Sequence, residues 1–114
     1  MIRVAKSKTE IPPGTLEMLI LKTLKRLGPI HGYAIAKSIQ QTSEDVLTVE
    51  EGSLYPALQR ILIKGWVTAE WVQVGPKRRN RIYHLTADGR KQLTAEISDY
   101  RRVSQAIERV IEPA

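Results

Sequence analysis

Between Leu16 and Leu27 apolar residues return every three or four positions: Leu16, Leu19 with Ile20, Thr23 with Leu24, and Leu27. That spacing predicts a helix with one buried stripe. Thr15 is a candidate N-cap and Gly28-Pro29 a stop. Met18 and Leu21 widen the apolar arc beyond one face, which calls for a second contact. A shorter helix is predicted from about Gly32 to Gln41, with Ile35, Ala36 and Ile39 inward and Tyr33 and Lys37 outward. After the polar "TSEDVL", Thr48 and Glu51 have capping-box spacing, so a third helix opens near Val49. Its inner stripe is Leu54, Leu58, Ile61 and Leu62, and Gly65 ends it. Pro56 either kinks this helix or sits in the first turn of one restarted at Ser53, since a proline deep in a helix loses a hydrogen bond and clashes one turn back.

The period then changes. "WVTAEWVQV" alternates and is β-branched, "GPKRRN" reverses the chain, and "RIYHLT" returns, which predicts a β-hairpin. Thr86 caps a long last helix with Asp88 in its first turn, where the helix dipole favours an acid. Along it Leu93, Ile97, Tyr100, Ser104, Ile107 and Ile111 step by four, three, four, three and four. This is a heptad seam on a helix of roughly 25 residues, about 38 Å long. A body of this size is shorter than that, so the helix should overhang and need a partner.

Helix, helix, helix, hairpin, long helix is the order of a winged helix-turn-helix: mainly α with a β-hairpin, followed by a C-terminal dimerisation helix. The expected division is a flexible arm over 1–13, a winged helix-turn-helix over 14–86 and a dimerisation helix over 87–114. The seam supplies the expected homodimer interface, with Met18 and Leu21 meeting the partner's final helix.

Charge sharpens this picture. The chain of 114 residues carries +6, from 18 bases and 12 acids. The excess lies in residues 1–30 and in the hairpin, where Lys77, Arg78, Arg79 and Arg81 fall within five positions. A solvated run that aids solubility is the plain alternative, but like charge gathered at one turn does not help folding and suits an external polyanion. Opposite the inward stripe, the third helix presents Gly52, Ser53, Pro56, Gln59 and Arg60. Small residues permit close approach to a groove, and Gln59 and Arg60 can bond base edges or phosphates. The expected partner is double-stranded DNA with a pseudo-palindromic operator, read by the third helix in the major groove with the hairpin as wing. The alternative is a winged-helix module for protein or RNA. Such a module would carry a less basic wing or exposed aromatics for base stacking, and no aromatic precedes Tyr83 at the tip.

No cysteine is present, and the two histidines, His31 and His84, are far apart in sequence, so no metal site or other cofactor is expected. His31 fits a capping role. Trp66 and Trp71 read as strand packing. Glu50-Glu51 reads as a helix start rather than as catalytic carboxylates, and no nucleophile–base spacing or phosphate-cradling loop appears; an enzyme is not expected. No apolar run approaches a membrane span and the first residues do not resemble a signal sequence, which suggests the cytoplasm.

"GTLEMLILKTL", "GPIHGYAIAKSI", "VEEGSLYPALQRILIKGWVTAEW" and "RNRIYHLTADGRKQL" together closely resemble the PadR family of bacterial transcriptional regulators, over about Gly14 to Leu93. The resemblance implies a dimeric repressor of the short type, with one C-terminal helix. It implies DNA contacts through the tyrosine of "HGY", Tyr33, through the start of the "GSLYP" helix, and through basic wing residues. Tyr55 is left open between a DNA contact and an inter-helix tyrosine. The resemblance also implies a small aromatic or hydrophobic effector. Tyr100 and Ser104 are the candidate ligand residues, because they loosen the seam and bring hydrogen-bonding groups to it. In the other arrangement the Tyr100 hydroxyl stays in water and Ser104 faces its twin.

Overall fold

A computed structural model describes residues 9–12 and 14–113. The order is β1 (Thr9–Glu10), α1 (Leu16–Leu27), β2 (Ile30–His31), α2 (Gly32–Thr42), β3 (Leu47–Thr48), α3 (Glu51–Ile63), β4 (Val67–Gly75), β5 (Arg78–Leu85) and α4 (Ala87–Ile111). Four helices and a three-stranded antiparallel sheet make a winged helix-turn-helix. Most of the expected N-terminal arm, residues 1–8 and 13, lies outside the described residues. Within it β1 pairs in parallel with β3.

Helix α1 runs through the middle and meets α2, α3, α4 and β5. Its buried side chains Met18, Ile20, Leu21 and Leu24 join Ile35 and Ile39 of α2, Leu54, Ala57, Leu58 and Ile61 of α3, Val67, Tyr83 and Leu93 in one core. The excess apolar arc of α1 is thus used up inside the protomer. Thr23, also buried, bonds the Leu19 carbonyl at 2.7 Å. Thr15 occupies the N-cap position without capping: its hydroxyl donates back to the Pro12 carbonyl at 2.7 Å.

The start of α3 departs from expectation. Thr48 forms no capping box, because pairing with β1 draws it into β3 and leaves its buried hydroxyl without a hydrogen-bond partner. The helix begins two residues later, after the extended Glu50. It then runs unbroken through Pro56, its sixth residue. Pro56 lies on the exposed side, and the carbonyl it leaves unpaired belongs to exposed Gly52. Ala57 takes the core place expected of Leu62, which is half-buried.

The hairpin is tighter than "GPKRRN" suggested. Gly75 pairs with Arg78, so the loop is only Pro76-Lys77, and a bulge at Val74 sets the register in which Trp71 faces Arg81. The third strand, β2, pairs Ile30 with Tyr83 and His31 with Ile82, which ties the wing to the start of α2.

Helix α4 opens as expected. The Thr86 hydroxyl accepts from the Gly89 amide at 3.0 Å and donates to the Gly65 carbonyl at 2.7 Å. Gly89 and Leu93 are buried in the body, so the boundary drawn at residue 86 marks an element and not a break in the core. Beyond Ile97 the helix leaves the body. The Cα radius of gyration is 16.3 Å, against about 13 Å for a compact chain of this length.

Candidate nucleic-acid interface

One glycine-dependent approach, at Gly32, builds the reading surface. A Cβ on Gly32 would stand 3.2 Å from Leu58 Cδ1 and 3.4 Å from Tyr55 Cε1, so the bare residue in "HGY" lets α2 seat against the first turns of α3. His31 caps α2 in the expected way, its Nδ1 accepting from the Ala34 amide at 3.3 Å. The neighbouring Tyr33 is thereby directed outward and is 65% exposed. Tyr55 stands across from it, half-exposed.

The inward face of the hairpin continues past the core. Val67, Ala69, Trp71 and Gln73 of β4 lie opposite Leu85, Tyr83, Arg81 and Arg79 of β5. Near the body this face is apolar. Toward the tip it becomes an aromatic–cation layer, with the Arg79 guanidinium 4.9 Å and that of Arg81 5.7 Å from the Trp71 ring. Arg81 also lies 5.9 Å from the Tyr83 ring, and its buried Nε has no hydrogen-bond partner in the protein. Burial pushes the Tyr83 phenol above its ordinary value, and the Arg81 charge offsets this only in part.

These groups meet in a cleft of about 410 Å³ lined by Tyr33, Tyr55, Trp71, Arg78, Arg79 and Arg81. Lys37 lines the neighbouring groove between α2 and α3, its ammonium 6.0 Å from the Tyr33 ring. Gln59 is exposed on the outward face of α3, and Lys77 sits at the wing tip. The remaining expected contacts turn elsewhere. Ser53, Pro56 and Arg60 border a separate hollow beside Ile11, Pro12 and Leu16. Arg60 is held there by Glu17, with Nε 2.8 Å from Oε1, and Lys64 joins the same acid at 3.6 Å. Helical geometry explains the split: Ser53 and Arg60 share the α1 side of α3, while Tyr55 lies on the other.

Trp71 was missed as a member of the cleft. It is not a strand-packing residue; it is 57% exposed. Strand parity with Val67 would have placed it on the inward face, but its arginine neighbours follow only from the hairpin register. Trp66 is half-buried, with the Lys64 ammonium 4.6 Å from its ring. His84 Nε2 lies 3.0 Å from Glu70 Oε1 on the outer face of the hairpin. Among the described residues no group of three or more His, Cys, Asp or Glu could hold a metal ion, and no helix is long and apolar enough to cross a membrane.

The expected dimer residues divide as well. Leu21 and Leu93 are at most 1% exposed, so they have no surface left to give a partner. Met18 is nearly as buried. Ile97 and Ser104 are half-buried, and Tyr100, Ile107 and Ile111 are exposed, joined by Val103 and Val110, which the heptad did not flag. An open depression of about 540 Å³ lies between the start of α1 and α4, lined by Met18, Ala95, Glu96, Tyr100 and Val103. Ser104 is not part of it.

Comparisons with known proteins agree with this architecture. An uncharacterised 37.1 kDa protein of transposon TN4556 from Streptomyces fradiae is 40% identical over 88 residues, covering 77% of this chain and 24% of that protein. The chain thus spans about a quarter of that relative's length. A transcriptional regulator from Clostridium thermocellum superposes with a TM-score of 0.81 at 22% identity, covering 87% of this chain and 95% of that one. Bacillus subtilis PadR, solved in complex with operator DNA, superposes with a TM-score of 0.66 at 25% identity, covering 73% and 47%. The model of the transcriptional regulator PadR-like family matches residues 20–95, and the chain belongs to that family.

Proposed function

We propose that the protein is a dimeric, sequence-specific DNA-binding repressor, with α3 entering the major groove and the hairpin lying along the backbone. The observation that carries this reading is the convergence of Tyr33, Tyr55 and three wing arginines on one cleft beside the start of α3. Guanidinium groups held against an aromatic ring are pre-oriented donors for phosphate oxygens. Arg78 and Arg79 are exposed at this cleft, where phosphate oxygens can reach them.

Two protomers join through the exposed seam of α4, which sets the two reading helices one duplex turn apart on a pseudo-palindrome. A small aromatic or hydrophobic effector binds beside Tyr100, in the depression that α4 shares with α1, and releases the DNA by changing the separation of the reading helices. A tenfold loss of affinity needs about 1.4 kcal/mol of preference for the released geometry.

Recovery of genomic duplex fragments by the purified protein, read against a salt titration, tests the core of this reading. Enrichment of a two-fold motif with steep salt dependence is the expected result; equal retention of all fragments would overturn it. Exposure of Trp71 supports a second reading, in which the wing stacks unpaired bases. Tighter binding to the single strands of the same fragments than to the duplex would select it.

A further inference from the structure

Glu51 is a carboxylate at the first position of the helix that the proposed reading inserts into a groove. A helix start, a neighbouring tyrosine and a nearby lysine would ordinarily give such an acid internal work. Here only the helix dipole engages it, as in α4 it engages Asp88. The capping box that would occupy it does not form, and the N-cap position makes no side-chain hydrogen bond. Among the described residues no cation pairs with it within 4.0 Å; the ion pairs there join Arg60 and Lys64 to Glu17, His84 to Glu70 and Arg102 to Asp99. It is exposed, and it lines the groove between α2 and α3 together with Tyr33, Lys37 and Tyr55. Its place is therefore on the contact surface and not behind it.

We propose that Glu51 is a specificity-determining residue that accepts a hydrogen bond from the N4 amino group of a cytosine in the major groove. This rests on the duplex-DNA reading above. The chemistry narrows the partner. Phosphate oxygens repel a carboxylate, so close approach of this turn to the backbone is unfavourable. Only a base-edge donor compensates the acid for its lost water. In the major groove cytosine offers a donor with no acceptor on the same base, whereas adenine sets its N7 acceptor beside its amino group and guanine offers acceptors alone. A carboxylate thus favours cytosine and penalises the others, so that it discriminates by repulsion as well as attraction.

The test is selection of duplexes from a randomised pool by the wild-type protein and by Glu51→Ala, Glu51→Gln and Glu50→Gln. Glu50 is the adjacent exposed acid, so Glu50→Gln makes the same charge change one position outside the helix. In the wild type one position in each half-site should be cytosine, preferred about tenfold. Glu51→Ala should lose that preference and keep the rest of the motif. Glu51→Gln should move it toward adenine, whose N6 and N7 suit an amide. Glu50→Gln should leave the motif intact. Retention of the cytosine by Glu51→Ala would overturn the proposal, as would a loss of affinity spread evenly over all sequences. A wild-type protein that selects no motif would instead remove the duplex reading itself, and is thereby told apart.

Discussion

At Gly89 there is no room for a methyl group. A Cβ there would lie 2.0 Å from the Trp66 carbonyl oxygen and 2.8 Å from Leu85 Cδ1, and the same carbonyl accepts from the Thr86 amide at 3.1 Å. Backbone cannot retreat as a side chain can. Gly89→Ala should therefore cost more than about 3 kcal/mol and lower Tm by more than about 10 °C. Gly52→Ala is the contrast. Nothing lies within 4 Å of its Cβ position, and alanine there should gain about 0.5–1 kcal/mol. Equal melting temperatures for the two variants would refute the close approach. Tyr83 gives a pH dependence. Its phenol is raised by burial, so folding favours the protonated form. That stability is fully present below the unfolded tyrosine value of about 10 and is lost as pH rises through the higher folded value. Denaturation midpoints should fall at alkaline pH, and Tyr83→Phe should flatten the fall. Individual side chains were the least legible part of the sequence. The exposure of Tyr33 could be read from helical phase, but Trp71 and Arg60 could not be assigned, since each depends on which element lies across from it.

Among the elements, α4 was legible because its signal is long. Twenty-five residues of helix with a repeating seam outweigh one polar step at Ser104. Strands β1, β2 and β3 have two residues each, too few to show any period, and they exist only through tertiary pairing. That pairing explains the failed capping box: the local preference of Thr48 yields to the ladder with β1. The exposed part of the seam makes its own prediction. Removing the chain after Lys91 would also remove Leu93 from the core, so such a truncation should unfold the protomer and say nothing about assembly. Ile107→Asp with Ile111→Asp changes only exposed positions. It should halve the mass measured by sedimentation while leaving the body folded, and should abolish the concentration dependence of Tm expected of a dimer. A double variant that still sediments with the wild-type mass would place the interface elsewhere.

For the molecule as a whole, the basic wing and the overhanging helix serve one geometry on the proposed reading. The wing binds without regard to sequence, and the helix fixes the distance at which two such wings bind. The first part is separable by salt. If Arg78 and Arg79 each neutralise one phosphate in each of two protomers, Arg78→Ala with Arg79→Ala should weaken binding to every duplex and reduce the slope of log affinity against log salt by about four. The second part is separable by spacing. Two-fold symmetry places the reading helices about 34–36 Å apart, one duplex turn, so half-site centres should lie about 10 base pairs apart. Inserting five base pairs between them moves one half-site to the opposite side of the duplex, where a dimer joined along a stiff helix cannot follow. Affinity for that operator should fall to that of a single half-site, while its salt slope falls toward half because only one wing is engaged. Binding is measured by titration of labelled duplexes at several salt concentrations. An inserted operator that retains both full affinity and full slope would mean that the two reading helices are not held by α4 at a fixed separation.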